Sequence, residues 1–499
     1  MRFTGSFQTI VTQGRSVCSF AALSRSTSGD ACSGGATDTT STIGNRRPPW
    51  RRCPTVTQVR TSAGQSTALL TDHYELTMLS AALRDGTAER RCVFEAFGRR
   101  LPDGRRYGVV AGTGRLLDAL ADFRFGDAEL AHLRDHRVVD EPTLDWLASY
   151  RFTGDIWGYA EGEIYFPGSP MLVVEAGFAE AVVLETLVLS ILNHDSAIAS
   201  AASRMTSAAE DRPCIEMGSR RTHEEAAVAA ARAAYIAGFA TTSNLEAGRR
   251  YGVPTTGTAA HAFTLLHDDE RAAFQSQVDT FGPGTTLLVD TYDVTNAVNL
   301  AIEVAGTELG GVRLDSGDLL QQAREVRAQL DRLGATQTRI VVTSDLDEFA
   351  IAALQAGPVD GYGVGTQLVT GSGAPTAGLV YKLVARENSA GRLEGVAKKS
   401  KDKLSVGGRK YALRRRSASG IAEAEVIGVG SEPAGETNDR ALLVPLVEHG
   451  ERVFAGTLDD ARERHTTARA ELPPTARQMS RGEPVIPTLY ERDQKENAR

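Results

Sequence analysis

Cysteine is scarce in this chain: there are five in 499 residues, and Cys18, Cys32 and Cys53 all fall within the first 66. Only Cys92 and Cys214 lie beyond, with no CxxC spacing and no clustered histidines. A disulfide framework or structural zinc site is thereby excluded, and a reducing cytoplasm is expected. Long uninterrupted apolar runs are missing as well. The most apolar stretch, residues 171–192, is broken by Glu175, Glu180 and Glu185 and reads as a buried helix region, not a membrane span. Excess positive charge is lacking: 55 basic against 63 acidic residues leave a net −8, which argues against a nucleic-acid surface. No Walker A, GxGxxG with a following acid, HExxH or GxSxG motif occurs. What remains is an ordinary soluble composition, 41% hydrophobic and 24% charged, in a chain long enough for two cores.

Charge is spread unevenly. Residues 1–66 carry eight arginines and two aspartates with no lysine or glutamate, a net +6, which leaves −14 on the rest. Rich in Ser, Thr and Gly and without a hydrophobic period, this leader is not expected to pack. It reads as a disordered extension, an upstream mis-assigned start, or an Arg- and Ser-rich transit segment.

Ordered structure is expected from Ala68. The run Asp72–Leu83 has helical apolar spacing, residues 91–97 (RCVFEAF) alternate as a strand, and Pro102-Asp-Gly104 supplies a turn. Residues 178–203 and 223–237 read as helices, the second opened by a Thr222/Glu225 capping box. Beyond 250 the pattern becomes regular. Apolar runs at 286–289, 311–314, 339–342 and 361–365 alternate with helical patterns at 294–304, 318–334 and 346–356. Such alternation implies parallel strands joined by right-handed crossovers. Each run is followed at once by polar residues: Asp290-Thr-Tyr-Asp293, Asp315-Ser-Gly-Asp318, Ser344-Asp345 and Thr366-Gln367. In a parallel barrel these strand ends converge on the active-site mouth. From about residue 376, strand-like pieces (GLVYKLV, RKYAL, RALLVPLV) and a basic stretch at Lys398–Lys403 point to a mixed sheet sharing its core with residues 68–180.

Three segments carry candidate chemistry. Gly257-Thr-Ala-Ala-His261 is placed at a strand end, where His261 is either a hydrogen-bonded structural residue or a nucleophile or base, with Thr258 nearby. Gly361-Tyr-Gly363-Val-Gly365-Thr366 ends a late strand, so its glycines serve tight packing or a phosphate. Arg313 and Asp315, two apart on one strand, face the same side as an ion pair or a ligand clamp for carboxylate or phosphate. The 287–293 segment resembles a diphosphate-sugar loop of flavodoxin-like phosphoribosyltransferases, but its acids are three apart and no glycine follows, which excludes that fold.

Together, TDHYELTM (71–78), FEAFGRRLPDGRRYGVVAG (94–112), EMGSRRTHEEAA (216–227), TSN (242–244), GTAAHAF (257–263), GVRLDSGDL (311–319), GYGVGTQLVT (361–370), YKL (381–383) and KSKDK (399–403) resemble the nicotinate phosphoribosyltransferases, in family order across nearly all of 68–410. The resemblance implies an irregular TIM-like α/β barrel of the type II phosphoribosyltransferases (181–375). A mixed α/β sandwich domain is then built from residues 67–180 and 376–499, the latter ending in a flexible tail. It implies nicotinate, phosphoribosyl pyrophosphate and ATP as substrates, Mg²⁺ bound through the diphosphate, a phosphohistidine at His261, and a homodimer with sites completed across the interface. In that frame Tyr74 stacks on the pyridine ring, Thr258 lies beside nicotinate, and Arg313 takes its carboxylate. Thr366, with Gly363 and Gly365, holds the phosphoribosyl group, Asp315 supports the sugar cation, and Arg220, Arg221 and Ser243 are further anion contacts. The alternatives are the related nicotinamide-using enzyme and a non-catalytic phosphosugar-binding barrel.

Overall fold

Crossovers that each carry a helix between successive strands leave little choice but parallel pairing, and that is what forms. The computed structural model describes residues 66–398 and 405–492; the leader through residue 65, its three cysteines and the KSKDK stretch lie outside them. Six strands make the parallel sheet: β1 (Cys214–Glu216), β2 (Thr241–Thr242), β3 (Thr286–Leu288), β4 (Gly311–Leu314), β5 (Arg339–Ser344) and β6 (Gly361–Val364). Their spatial order is β2-β1-β6-β5-β4-β3. The expected irregular barrel is therefore a curled parallel sheet whose edge strands are β2 and β3. Leu287, Val312, Leu314, Ile340, Val342, Tyr362 and Val364 lie on the face of the sheet away from Arg313, Thr343 and Gly363, packed with Ala297, Val298, Ala323, Val326 and Leu330 of the surrounding helices, each burial worth about 1.5–3 kcal/mol. Helices Val294–Ala305, Leu319–Arg332 and Glu348–Leu354 separate the later strands, and each starts on an aspartate, Asp293, Asp318 and Asp347, that accepts backbone N–H groups of the first turn.

A second layer system is antiparallel except where Thr488–Arg492 runs parallel to Ala422–Val429. Strands Arg91–Gly98, Asp155–Tyr159 and Leu172–Gly177 join Leu379–Glu387, Leu393–Gly395, Leu443–Glu448 and Glu451–Arg452 in one seven-stranded sheet. A four-stranded sheet of Arg440–Ala441, Lys410–Arg416, Ala422–Val429 and Thr488–Arg492 accompanies it. C-terminal strands thus pair directly with N-terminal ones: Phe94 lies opposite Leu383, and its ring stacks on Tyr381 with centroids 5.0 Å apart. Between the sheets, Lys410 pairs with fully buried Glu95, and Tyr159 donates to Glu425 at 2.8 Å.

The apolar stretch expected as one helix is two, Phe178–Val182 and Glu185–Ala209, and the second continues six residues past the expected end. It is long and apolar enough to cross a membrane by composition, yet 67% of its most apolar window is buried within the protein. Leu187, Val188, Ile191 and Leu192 enter the antiparallel core, while Ile198, Ala199, Ala202 and Met205 enter the barrel core. Small residues along it let both layers approach closely. The Thr222/Glu225 capping box does not form. His223 is the N-cap and accepts from Glu225 N–H at 3.3 Å, while the Glu225 carboxylate is drawn to Arg250, at 2.6 Å and 3.0 Å. The charge-assisted fork is the stronger bond.

His465, on the helix Leu458–Ala470, is fully buried. Loss of hydration, with Arg469 nearby, pulls its imidazole down to about 3 from an ordinary 6.5. The unfolded chain therefore binds the extra proton first as pH falls, so this stability is complete above 6.5 and drains away between there and 3. Thermal unfolding from about pH 7 to pH 5 should show a flatter loss of stability in His465→Leu than in the wild type; parallel curves would remove His465 from the account.

Candidate active site

The carboxyl ends of the parallel strands open on a cavity of about 410 Å³. Its lining includes Arg220, Arg221, Ser243, Thr258, His261, Arg313, Asp315, Gly363, Gly365 and Thr366. Ten of the eleven site residues expected from sequence are thus brought together by the curl of one sheet. His261 is not at a strand end but is the first residue of a short helix, His261–Leu266, reached after an irregular run from Thr256. The strand expected there is reduced to a single bridge between Thr242 and Thr255.

Around the imidazole the contacts are specific. His261 Nδ1 shares a 3.1 Å hydrogen bond with Thr291 Oγ1. Its Nε2 lies 3.9 Å from Asp290 Oδ1 and 4.0 Å from Asp315 Oδ2. Asp290 is buried; its Oδ2 accepts from Asp315 N–H at 2.8 Å and Ser316 Oγ at 3.0 Å, while Oδ1 has no hydrogen-bond partner. This buried oxygen, unpartnered and 3.9 Å from Nε2, lies beside the imidazole but off the cavity lining.

Arg313 and Asp315 both line the cavity, as their spacing requires, but do not bond to each other. The Arg313 guanidinium donates to Thr258 Oγ1, and Asp315 accepts from Thr343 Oγ1. Burial pulls Arg313 below its ordinary value against the attraction of Asp315 and Asp290, so an incoming anion meets an incompletely compensated cation. Thr366 Oγ1 donates to Asp345 at 3.3 Å. Arg220 and Arg221 are exposed on the rim, in a 3-10 turn after β1 whose start is held by buried Glu216, which accepts from Gly218 N–H and Thr242 Oγ1. Burial raises the Glu216 carboxyl despite those donors.

Asp290, Thr291, Thr343 and Asp345 complete the site without having been assigned a role from sequence. The available signal was position: the acid that follows a strand at once faces the cavity, and the acid two or three residues later caps the next helix.

Tyr74 stands apart from these residues. It is 45% exposed on the helix His73–Asp85, outside the cavity lining, and burial together with Glu185 raises its hydroxyl. Its neighbour Glu75 is fully buried and accepts from Thr186 N–H at 3.0 Å and from the hydroxyls of Thr186 and Thr71. Glu75 thereby fixes the Tyr74 helix to the start of the long shared helix.

The model of the nicotinate phosphoribosyltransferase (NAPRTase) N-terminal domain matches residues 69–193. Nicotinate phosphoribosyltransferase pncB1 of Mycobacterium tuberculosis is 61% identical over 429 residues, 84% of this chain and 94% of the relative. The chain belongs to the nicotinate phosphoribosyltransferase family. The Bacillus subtilis nicotinate phosphoribosyltransferase is 39% identical, covering 76% of this chain and 80% of its own. The crystal structure of human nicotinic acid phosphoribosyltransferase superposes with a TM-score of 0.73 at 25% identity, over 86% of this chain and 98% of the human one.

Within this family site the glycines are not equivalent. A Cβ at Gly363 would lie 2.4 Å from Thr343 Cγ2 and 2.8 Å from Met217 Sδ, whereas one at Gly257 meets nothing within 4 Å. Gly363→Ala should therefore cost about 1–3 kcal/mol through overpacking, and Gly257→Ala about 0.5 kcal/mol or less. Urea unfolding midpoints check this, and equal shifts would contradict the packing argument.

Proposed function

We propose that this enzyme transfers the phosphoribosyl group from phosphoribosyl pyrophosphate to nicotinate, giving nicotinate mononucleotide and pyrophosphate, with hydrolysis of ATP to ADP and phosphate coupled to turnover. The role is NAD salvage, and the compartment is the cytoplasm, in keeping with two free, buried thiols, Cys92 and Cys214. The observation that carries the reading is His261 within 4.0 Å of two carboxylates, Asp290 and Asp315, in a cavity that also holds Arg313, Gly363, Gly365 and Thr366.

Arg313, desolvated and with Thr258 Oγ1 already oriented on it, takes the nicotinate carboxylate through its fork. That places the ring nitrogen toward the sugar. As the bond from C1′ to the pyrophosphate oxygen breaks and the pyridine nitrogen bonds C1′, positive charge develops on the ribose. Asp315, hydrogen-bonded by Thr343, is the carboxylate placed to stabilise it. Thr366, Gly363 and Gly365 hold the phosphoribosyl portion, and Arg220, Arg221 and Ser243 meet the remaining anionic groups. Asp315 and Asp345, both on the cavity wall, would face Mg²⁺ carried by the diphosphate; when bound, the ion would neutralise charge on the leaving group.

Thr291 engages His261 Nδ1, which leaves Nε2 as the nitrogen that accepts the γ-phosphoryl group of ATP as ADP departs. The added negative charge lies close to Arg313 and can order the loops around the substrates. We further propose a homodimer in which the partner brings its copy of Tyr74 to this cavity, where an aromatic face suits the planar ring. The exposed Tyr74, Leu245, Leu265, Leu266 and Tyr292 support it.

The test combines product analysis with γ-labelled ATP. Wild type given nicotinate, phosphoribosyl pyrophosphate and MgATP should form nicotinate mononucleotide and carry acid-labile phosphate, while His261→Asn should carry none and lose ATP stimulation. Labelled His261→Asn that is still stimulated by ATP would overturn the phosphohistidine.

A further inference from the structure

One arginine of the 94–112 motif has no role in the chemistry above, although its guanidinium is buried and crosses between the two halves of the molecule. Arg105, 6% exposed, donates from Nη2 to Gly371 O at 2.9 Å and sets Nη1 3.5 Å from Glu348 Oε1. Glu348, on the helix after β5, also accepts from Arg204 Nε at 2.9 Å, and its other oxygen accepts from Ser372 Oγ at 2.5 Å. The segment these groups grip is unusual. Gly371, Ser372 and Gly373 all have left-handed backbone, at φ +67°, +50° and +82°, a conformation that a serine adopts only when its surroundings impose it. The same segment folds back on the turn Thr366–Val369: Gly371 N–H donates to Leu368 O at 2.9 Å and Ser372 N–H to Gln367 O at 2.6 Å. That turn begins at Gly365 and Thr366, on the cavity wall.

We propose that Arg105 is a positioning residue: acting through Glu348 and Ser372, it holds the 371–373 segment in its left-handed form and so sets the place of Gly365 and Thr366 for the phosphoribosyl group. The assignment rests on the reading of Thr366 as a phosphoribosyl contact. Its logic is separation of duties. Arg313 and Thr258, which meet nicotinate, have no bond to this network, so a slack clamp loosens one substrate and spares the other. Both Arg105 contacts fall on the barrel half, although the residue belongs to the motif that opens the antiparallel half. Arg204 comes from the helix that the two cores share. Burial lowers the Arg105 guanidinium from its ordinary value, with Glu348 opposing, as expected of a charge kept for its geometry.

The experiment is steady-state kinetics of the full-length protein with each substrate varied in turn. Ser372→Ala, which removes one hydroxyl without exposing a charge, should raise the KM for phosphoribosyl pyrophosphate about three- to tenfold. The nicotinate KM and kcat should stay within about twofold. Arg105→Met should raise the same KM more than about tenfold, and Arg105→Lys, which keeps the charge but not the fork, should recover part of that loss. Equal rises in both KM values, or unchanged phosphoribosyl pyrophosphate kinetics in Ser372→Ala and Arg105→Lys, would overturn the proposal. If Arg105→Met fails to fold, Ser372→Ala decides. A wild type that forms no mononucleotide defeats the functional reading and this proposal with it; an active wild type with unaltered variants defeats this proposal alone.

Discussion

Parallel pairing of six strands is the constraint on which the rest depends. Strands that run the same way deliver all their carboxyl ends to one rim, and curling the sheet draws those ends around a single cavity. Asp290, Arg313, Asp315, Thr343, Asp345 and Thr366 are far apart in the chain and meet because each ends or follows a strand of β3 to β6. Branched and aromatic side chains on the opposite face of these strands pack under the surrounding helices, so the rim is a rigid platform. The strand ends can then spend polar residues on a ligand instead of on folding.

This is also why so much was legible in the sequence. Alternating apolar runs and helical patterns after residue 250 demand a parallel sheet, and a polar residue straight after each run demands a polar rim. The return of the C-terminal strands to the N-terminal sheet could be read from the change in pattern near residue 376. What pattern could not separate was the two duties of neighbouring acids. Asp290 and Asp293, or Asp315 and Asp318, look alike as text, yet the first of each pair lies within 4.0 Å of the His261 imidazole and the second caps a helix. The difference is a matter of three residues of backbone direction. Local rules also failed where a charge offered a better bond, as when Arg250 took the Glu225 carboxylate from its expected cap. His261 was recognisable by residue type and company, but not by its perch on a short helix.

The two halves divide the labour. The barrel half supplies the imidazole, the arginine and the carboxylates, while the antiparallel half supplies rigidity through buried charged groups such as Glu75 and the Lys410–Glu95 pair. Glu75 and Arg105 belong to motifs that mark the family yet lie outside the cavity, and both join elements that would otherwise be free to move. Tyr74 rides on the element that Glu75 fixes, which keeps an exposed aromatic at a constant place on the surface. Tyr74 is outside the cavity lining of its own chain, which is the ground for proposing that a second copy brings it there.

The central claim is that a desolvated arginine at the rim selects a carboxylated pyridine. Rates with nicotinate, nicotinamide and quinolinate, each with phosphoribosyl pyrophosphate and with or without ATP, compared between wild type and Arg313→Ala, test it most directly. The account predicts mononucleotide from nicotinate, faster with ATP, and a loss of about ten- to a hundredfold in Arg313→Ala confined to that base. Preference for nicotinamide, or an equal loss with both bases, would contradict it.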